Sequence, residues 1–160
     1  MFNGAEPEIR ALDTIDAEAR TVSAWLSDRV AEGIKRHEIG VFFRSSDQLD
    51  RARAAVQAAG LPLKVLDENV ETTGGFVSIS TMHLAKGLEF RTVVVMACDD
   101  EVIPLQERID SIADDGDLEE VYNTERHLLY VACTRSRDHL LVTGTEPVSE
   151  FLDDLGLRQS

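Results

Sequence analysis

Cations are scarce in this chain. Lys and Arg total 16 against 30 Asp and Glu, a formal charge of −14 at pH 7. That balance excludes a general electrostatic grip on nucleic acid, so any phosphate contact must be local. Aromatic residues are few: one Trp, two Tyr and six Phe. With a hydrophobic fraction of 43%, the core must be mostly aliphatic and alanine-rich. Cys98 and Cys133 stand far apart, each in an apolar setting ("VMACDD", "YVACTR"), and read as buried reduced thiols. There is no Cys-x-x-Cys pair and no cluster of His at ligand spacing, so no structural metal is expected. No apolar run approaches the roughly 20 residues that span a bilayer. The start "MFNGAEPEIR" lacks the basic and apolar parts of a secretion signal. A soluble, cytoplasmic protein of one domain, without a membrane partner, is expected from the 160 residues.

What is present alternates short apolar runs with longer amphipathic ones. "EIRALD", "EIGVFFR", "LPLKVLD", "FVSIS", "TVVVMAC" and "RDHLLVTGT" read as strands. Between them, Ile15, Ala19, Val22, Leu26 and Val30 form one helical stripe, and Leu49, Ala52, Val56 and Ala59 a second. Ser46 or Asp47 is placed to cap the second helix, and Gly60 to close it. A third helix covers "LEEVYNTERHLLYVACTRS", with apolar residues at 118, 121, 122, 128, 129 and 132. "NVETTGG" marks a break, the acidic stretch of about 106–117 a surface loop, and "PVSEFLDDL" a short terminal helix with Pro147 in its first turn. Strands alternating with helices imply an α/β domain with a mainly parallel sheet. Ligands of such sheets sit at the carboxyl ends of the strands.

"TMHLAKGLEF", from Thr81 to Phe90, follows one strand and precedes another. It holds more polar groups than a turn needs. Thr81 and His83 can both reach one groove and hydrogen-bond phosphate or sugar oxygens. Lys86 adds a cation, and Gly87 permits a tight turn. Glu89 is an acceptor suited to paired hydroxyls such as those of a ribose. A helix entry with a salt bridge explains the same residue types equally well. Further on, "TERHLLYVACTRSR" ends a helix with Arg135 and Arg137. Their cations can satisfy the helix dipole or be presented to a nucleotide's terminal phosphate. "TRSR" alone does not choose.

The two segments together, in this order, resemble the fifth and sixth motifs of the second RecA-like domain of UvrD/Rep/PcrA-type superfamily 1 DNA helicases. Thr81, His83, Lys86, Gly87, Leu88, Glu89 and Phe90 match Thr-x-His-x-x-Lys-Gly-Leu-Glu-Phe. Glu125, Arg126, Leu128, Tyr130, Val131, Thr134 and Arg135 match Glu-Arg-x-Leu-x-Tyr-Val-x-x-Thr-Arg. The likeness runs from about Ile39 to Gly144. It implies a RecA-like (P-loop NTPase-like) three-layer α/β fold and a part in ATP-dependent DNA helicase activity. On this resemblance Thr81, His83 and Arg44 contact the single-stranded DNA backbone. Ser46 stands where relatives usually have Asn and makes a weaker contact. Glu89 binds the ribose of ATP, Gly87 allows the turn and Lys86 supports the junction. Arg135 reaches the γ-phosphate, and Tyr130 packs the motif helix.

The departures from the family pattern bound the function. No Gly-x-x-x-x-Gly-Lys-Ser/Thr loop is present, and that loop holds the phosphates and Mg²⁺. ATP and Mg²⁺ are therefore expected only with a separate N-terminal RecA-like domain, in the same or another chain. This chain alone is expected to be inactive and to hold no cofactor. The Leu-x-x-Asn-Tyr-Arg-Ser motif that opens this domain in relatives is absent, and so is the large helical insert before the fifth motif. Glu101 replaces a common Gly. The leading expectation is a single helicase C-terminal motor domain. The alternatives are a stand-alone single-stranded-DNA or protein-binding module without catalysis, and a motor-related subunit of a nuclease complex.

Overall fold

The computed structural model describes residues 7–67, 74–112 and 115–154. The break "NVETTGG" falls mostly outside them. Among the described residues six strands form one sheet: β1 (Glu8–Leu12), β2 (Ile39–Phe43), β3 (Leu63–Val65), β4 (Val77–Thr81), β5 (Phe90–Val95) and β6 (Ser136–Thr145). Their order is β1-β6-β5-β2-β4-β3, and every strand pair in it is parallel. Five α-helices are present among the described residues: α1 (Ile15–Ala31), α2 (Leu49–Ala58), α3 (Gln106–Asp110) and α4 (Asp115–Cys133) between strands, and α5 (Phe151–Asp154) after the last of them.

The strands alternate side chains between two cores, which makes the domain three-layered. Val41, Ile79, Val94 and Leu141 face α1 and α2, where Val22, Trp25, Leu26, Ala52 and Val56 pack. Phe42, Val93, Val95, Leu140 and Val142 face α4, where Leu129 and Ala132 pack with Phe151 of α5. From β2 the chain passes through α2 toward one edge of the sheet. From β5 it passes through α4 toward the other. Because β2 and β5 are neighbours, their carboxyl ends form the switch point at which such sheets open a crevice.

Several sequence expectations need local correction. The stripe of α1 is rotated: Ile15 is exposed, and Glu18, Val22, Trp25 and Leu26 are buried. Neither Ser46 nor Asp47 caps α2. A 3-10 turn, Ser46–Gln48, leads into it, and the N–H of Gln48 donates to the Ser45 carbonyl at 2.9 Å, so backbone replaces the side-chain cap. The acidic stretch is not a loop in its described part. Residues 106–110 are helical, with Gln106 bonded to Asp110 and Arg108 to Glu125, and α4 already begins at 115. Pro147 precedes α5 by four residues instead of starting it, and its carbonyl accepts the Asp100 N–H at 2.9 Å. β5 stops at Val95: the Met96 N–H still reaches the Phe42 carbonyl at 3.0 Å, but Ala97 turns to φ +60 and its N–H goes to the Glu18 carboxylate at 2.9 Å.

Candidate nucleotide and nucleic-acid edges

Thr81 closes β4 at the carboxyl edge of the sheet, paired with Phe43 of β2. The 3-10 turn Met82–Leu84 follows. It buries Met82 in the α4 core and leaves His83 exposed. A parallel connection must then return the chain to the amino edge before the next strand can start. Ala85 and Leu88 pack on the α4 core during that return, and Gly87 turns the chain at φ +86, a region that L side chains rarely adopt. β5 begins at Phe90, paired with Ser136. Thr81 and His83 thus stand at the carboxyl edge. Lys86, Gly87 and Glu89 are exposed along the return, and Glu89 reaches the opposite edge immediately before β5.

Arg135 joins this amino edge. The N–H of Phe90 donates to its carbonyl at 2.9 Å. Its guanidinium is half-buried and folded onto the end of α4, donating to the Val131 carbonyl at 3.1 Å, the Thr134 hydroxyl at 3.2 Å and the Leu88 carbonyl at 3.4 Å. Helix-terminal carbonyls lack intrahelical donors, which explains the attraction. Arg137 lies 3.2 Å from the Glu89 carboxylate, with both side chains mostly exposed. Such a surface pair contributes at most about 1 kcal/mol, so Glu89 is free to exchange it for another donor. Tyr130 was expected to pack, but it is 55% exposed. Leu129 and Ala132 take the inward face of α4 with Val131 packed against the same core, which turns Tyr130 outward.

At the carboxyl edge the structure corrects Arg44. Its side chain is buried, 3% exposed, and its fork is spent on Glu125, with Nε at 2.7 Å and a terminal nitrogen at 2.6 Å. The other terminal nitrogen makes no hydrogen bond among the described residues, but with the side chain 4% exposed little of it is open to a phosphate. Ser46 is exposed in its 3-10 turn just beyond β2. Glu125, fully buried, also accepts the Leu105 N–H at 2.7 Å and an Arg108 nitrogen at 2.8 Å. Burial pushes its carboxyl upward, but the bonds from Arg44, Leu105 and Arg108 outweigh this and leave it below the ordinary glutamate value. His83 is held below the ordinary histidine value, first by partial burial and then by the positive charges of Arg44 and Arg108, with Glu125 opposing. It is therefore a neutral hydrogen-bonding group at pH 7.

A second buried network, absent from the sequence expectations, braces the other side of the switch point. Glu18 accepts Arg51 Nε at 2.6 Å, the Thr143 hydroxyl at 2.8 Å and the Ala97 N–H. Arg51 forks onto Asp99 at 2.8 and 2.9 Å. The signal was available, since Glu18 stands one helical turn before Val22 on the buried stripe. Glu125 likewise falls on the stripe of 118, 121, 122, 129 and 132. Among the described residues, no three His, Cys, Asp or Glu side chains come together as a metal site, and no helix is long and apolar enough to cross a membrane.

Comparison with known proteins follows the same outline. The family profile described as the UvrD-like helicase C-terminal domain matches residues 66–146, a span holding both motif segments. The chain is 32% identical over 152 residues to a probable DNA helicase II homolog of Rickettsia conorii, covering 88% of this chain and 22% of that protein. It is 35% identical over 83 residues to the ATP-dependent DNA helicase PcrA of Bacillus subtilis, covering 51% of this chain and 10% of that protein. The chain thus spans about a fifth of the length of the first curated relatives it matches. Among solved structures, the C-terminal domain of a possible DNA helicase from Lactobacillus plantarum superposes with a TM-score of 0.73 over 98% of this chain and 86% of that one, at 19% identity. That likeness shows the fold, a RecA-like α/β domain. With the motif segments, the sheet order and the matched profile in agreement, the chain belongs to the UvrD-like helicase C-terminal domain family.

Proposed function

We propose that this chain is the second RecA-like half of an ATP-dependent DNA helicase or translocase motor, active only with a nucleotide-binding first half. One observation carries the reading. The segment 81–90 reaches both edges of the sheet, with Thr81 and His83 at the carboxyl edge, Glu89 at the amino edge beside Arg135, and Lys86 and Gly87 on the return between them. Single-stranded DNA backbone lies on the first edge, with Ser46 as a weaker contact. ATP lies on the second. A segment shared by two ligands can couple hydrolysis to strand movement.

The residues of the return and the amino edge fit a nucleotide. Glu89 is an exposed carboxylate for ribose hydroxyls. A side chain added at Gly87 would meet nothing within 4 Å, which leaves the backbone open to close approach. Lys86 adds a positive charge near the junction. Arg135 is a planar fork whose present acceptors are weakly held carbonyl and hydroxyl oxygens, and it can exchange them for a γ-phosphate. ATP supplies the phosphoryl group, and the arginine stabilises the charge that develops during its transfer. The first half would supply the phosphate loop and the Mg²⁺ ligands.

The test is ATP hydrolysis by this chain joined to, or mixed with, a nucleotide-binding RecA-like half. The expected result is no hydrolysis by the chain alone and DNA-stimulated hydrolysis by the pair, lost in Arg135→Ala. Equal hydrolysis with Arg135→Ala would contradict the role of the arginine.

A further inference from the structure

The carboxyl edge poses a question once Arg44 is buried. A face that binds a polyanion needs a cation, and the chain's overall charge of −14 supplies none by default. Two arginines at the switch point are spent. Arg44 is committed to Glu125. Arg51, its side chain 8% exposed, is committed to Glu18 and Asp99.

Arg108 differs from both. One terminal nitrogen donates to Glu125 at 2.8 Å, and the side chain is 38% exposed. Its Nε and its other terminal nitrogen make no hydrogen bond among the described residues. The Glu125 carboxylate is thus shared by two guanidiniums, one inside and one at the surface. With Glu125 ionised, two positive charges face one negative, so the cluster carries a net charge of about +1 by simple valence. The excess is presented at the exposed member. Glu107 and Asp110 share the short helix with Arg108, but residues one and two positions apart point to different faces.

The cluster sits beside the single-strand edge. Arg44 follows β2, whose last residue, Phe43, pairs with Thr81. His83 lies two residues beyond Thr81, in the 3-10 turn that packs through Met82 on the core of α4, the helix that carries Glu125, and the charges of Arg44, Arg108 and Glu125 act on it. A guanidinium pinned at one nitrogen loses less side-chain freedom when it binds a phosphate than a free one would.

We propose that Arg108 is a phosphate-contacting residue of the single-strand face, held in place by the buried Glu125 carboxylate beside His83. Arg44 is then the internal holder of Glu125 and not a DNA contact. The proposal rests on the reading that this edge binds single-stranded DNA.

Fluorescence anisotropy with labelled oligo-dT and a mixed-sequence oligonucleotide, across a salt series, tests it on the chain itself. Arg108→Gln is expected to weaken binding several-fold and equally for both sequences. It should also lower the log–log salt slope by about 0.7, the value for one single-strand phosphate contact. Arg108→Lys keeps the charge and should keep most of that slope. A purely structural role in the Glu125 cluster would instead lose affinity in both variants with the slope unchanged. If His83→Ala weakens binding and Arg108→Gln does not, the proposal is overturned and the single-strand reading stands. If wild type fails to bind, or neither variant alters binding, the single-strand reading falls and takes the proposal with it.

Discussion

The backbone N–H of Phe90 donates to the carbonyl of Arg135 at 2.9 Å, while the Arg135 guanidinium reaches back to the Leu88 carbonyl at 3.4 Å. The end of the 81–90 segment and the helix-terminal arginine are therefore one structural unit. A shift of either moves the other.

For Arg135, fold and function separate cleanly. Its guanidinium satisfies carbonyl and hydroxyl oxygens at the end of α4, a contribution of about 0.3–1 kcal/mol. Arg135→Ala should therefore leave thermal stability nearly unchanged. In the assembled motor it should reduce DNA-stimulated ATP hydrolysis by about 10³-fold or more, the usual effect of removing such an arginine. Melting temperature and steady-state rate, measured on the same preparation, check both halves of the statement.

Glu125 behaves in the opposite way. Removing it leaves Arg44 charged, buried and without its partner, which costs about 3–5 kcal/mol. Urea unfolding of Glu125→Ala should show this loss as a lower midpoint with a similar slope. A loss below about 1 kcal/mol would mean that water or another acceptor replaces the carboxylate.

Acid sensitivity follows from the same cluster. Glu125 and Asp99 are both held below their ordinary values of 4.5 and 3.8. In each case burial pushes upward and is outweighed, for Asp99 by Arg51 and the Thr145 N–H. A depressed carboxylate stabilises the fold fully above its unfolded value, and that stability is lost as pH falls through the folded value. His83 adds an earlier, smaller loss. Its folded value is lowered, so the unfolded chain takes up the proton first as pH falls through 6.5. Melting temperature should decline slightly below pH 6.5 and steeply below about pH 4. His83→Asn should remove the upper part of the decline only.

Among the described glycines, Gly144 makes the closest approach to another stretch of backbone. A Cβ there would lie 2.7 Å from the carbonyl oxygen of Cys98, a backbone atom that cannot swing away. Gly144→Ala should destabilise by about 1–3 kcal/mol, read as a lower melting temperature. By contrast, a Cβ at Gly40 meets the Phe90 ring at 2.6 Å, so Gly40→Ala can be relieved in part by Phe90→Leu, whereas nothing equivalent rescues Gly144→Ala.

The outline of this fold was legible because parallel strands buried on both faces leave continuous apolar runs, as "GVFF" and "TVVVM" do. Both thiols also read correctly. Cys98 and Cys133 are buried and not joined in a disulfide, and burial pushes Cys133 up to about 12. What the pattern could not carry was partnership. Arg44 looks like a surface cation until Glu125, distant in sequence, arrives to take its fork. Tyr130 looks like core until the inward face of α4 is seen to be filled by its neighbours. The acidic stretch looks like a loop because composition does not reveal that Arg108 ties it to a buried carboxylate. The motif segments placed ATP and DNA on one turn, but only the sheet register divided that turn between two edges.

The most direct test of this division is to measure single-stranded-DNA affinity and basal ATP hydrolysis side by side, in the assembled motor, for His83→Ala and Arg135→Ala. Two separate edges predict that His83→Ala weakens DNA binding with basal hydrolysis retained, and that Arg135→Ala abolishes hydrolysis with DNA affinity retained. If each variant lost both properties in equal measure, with its fold intact, the two ligands would not occupy separate edges of this sheet and the account would be wrong.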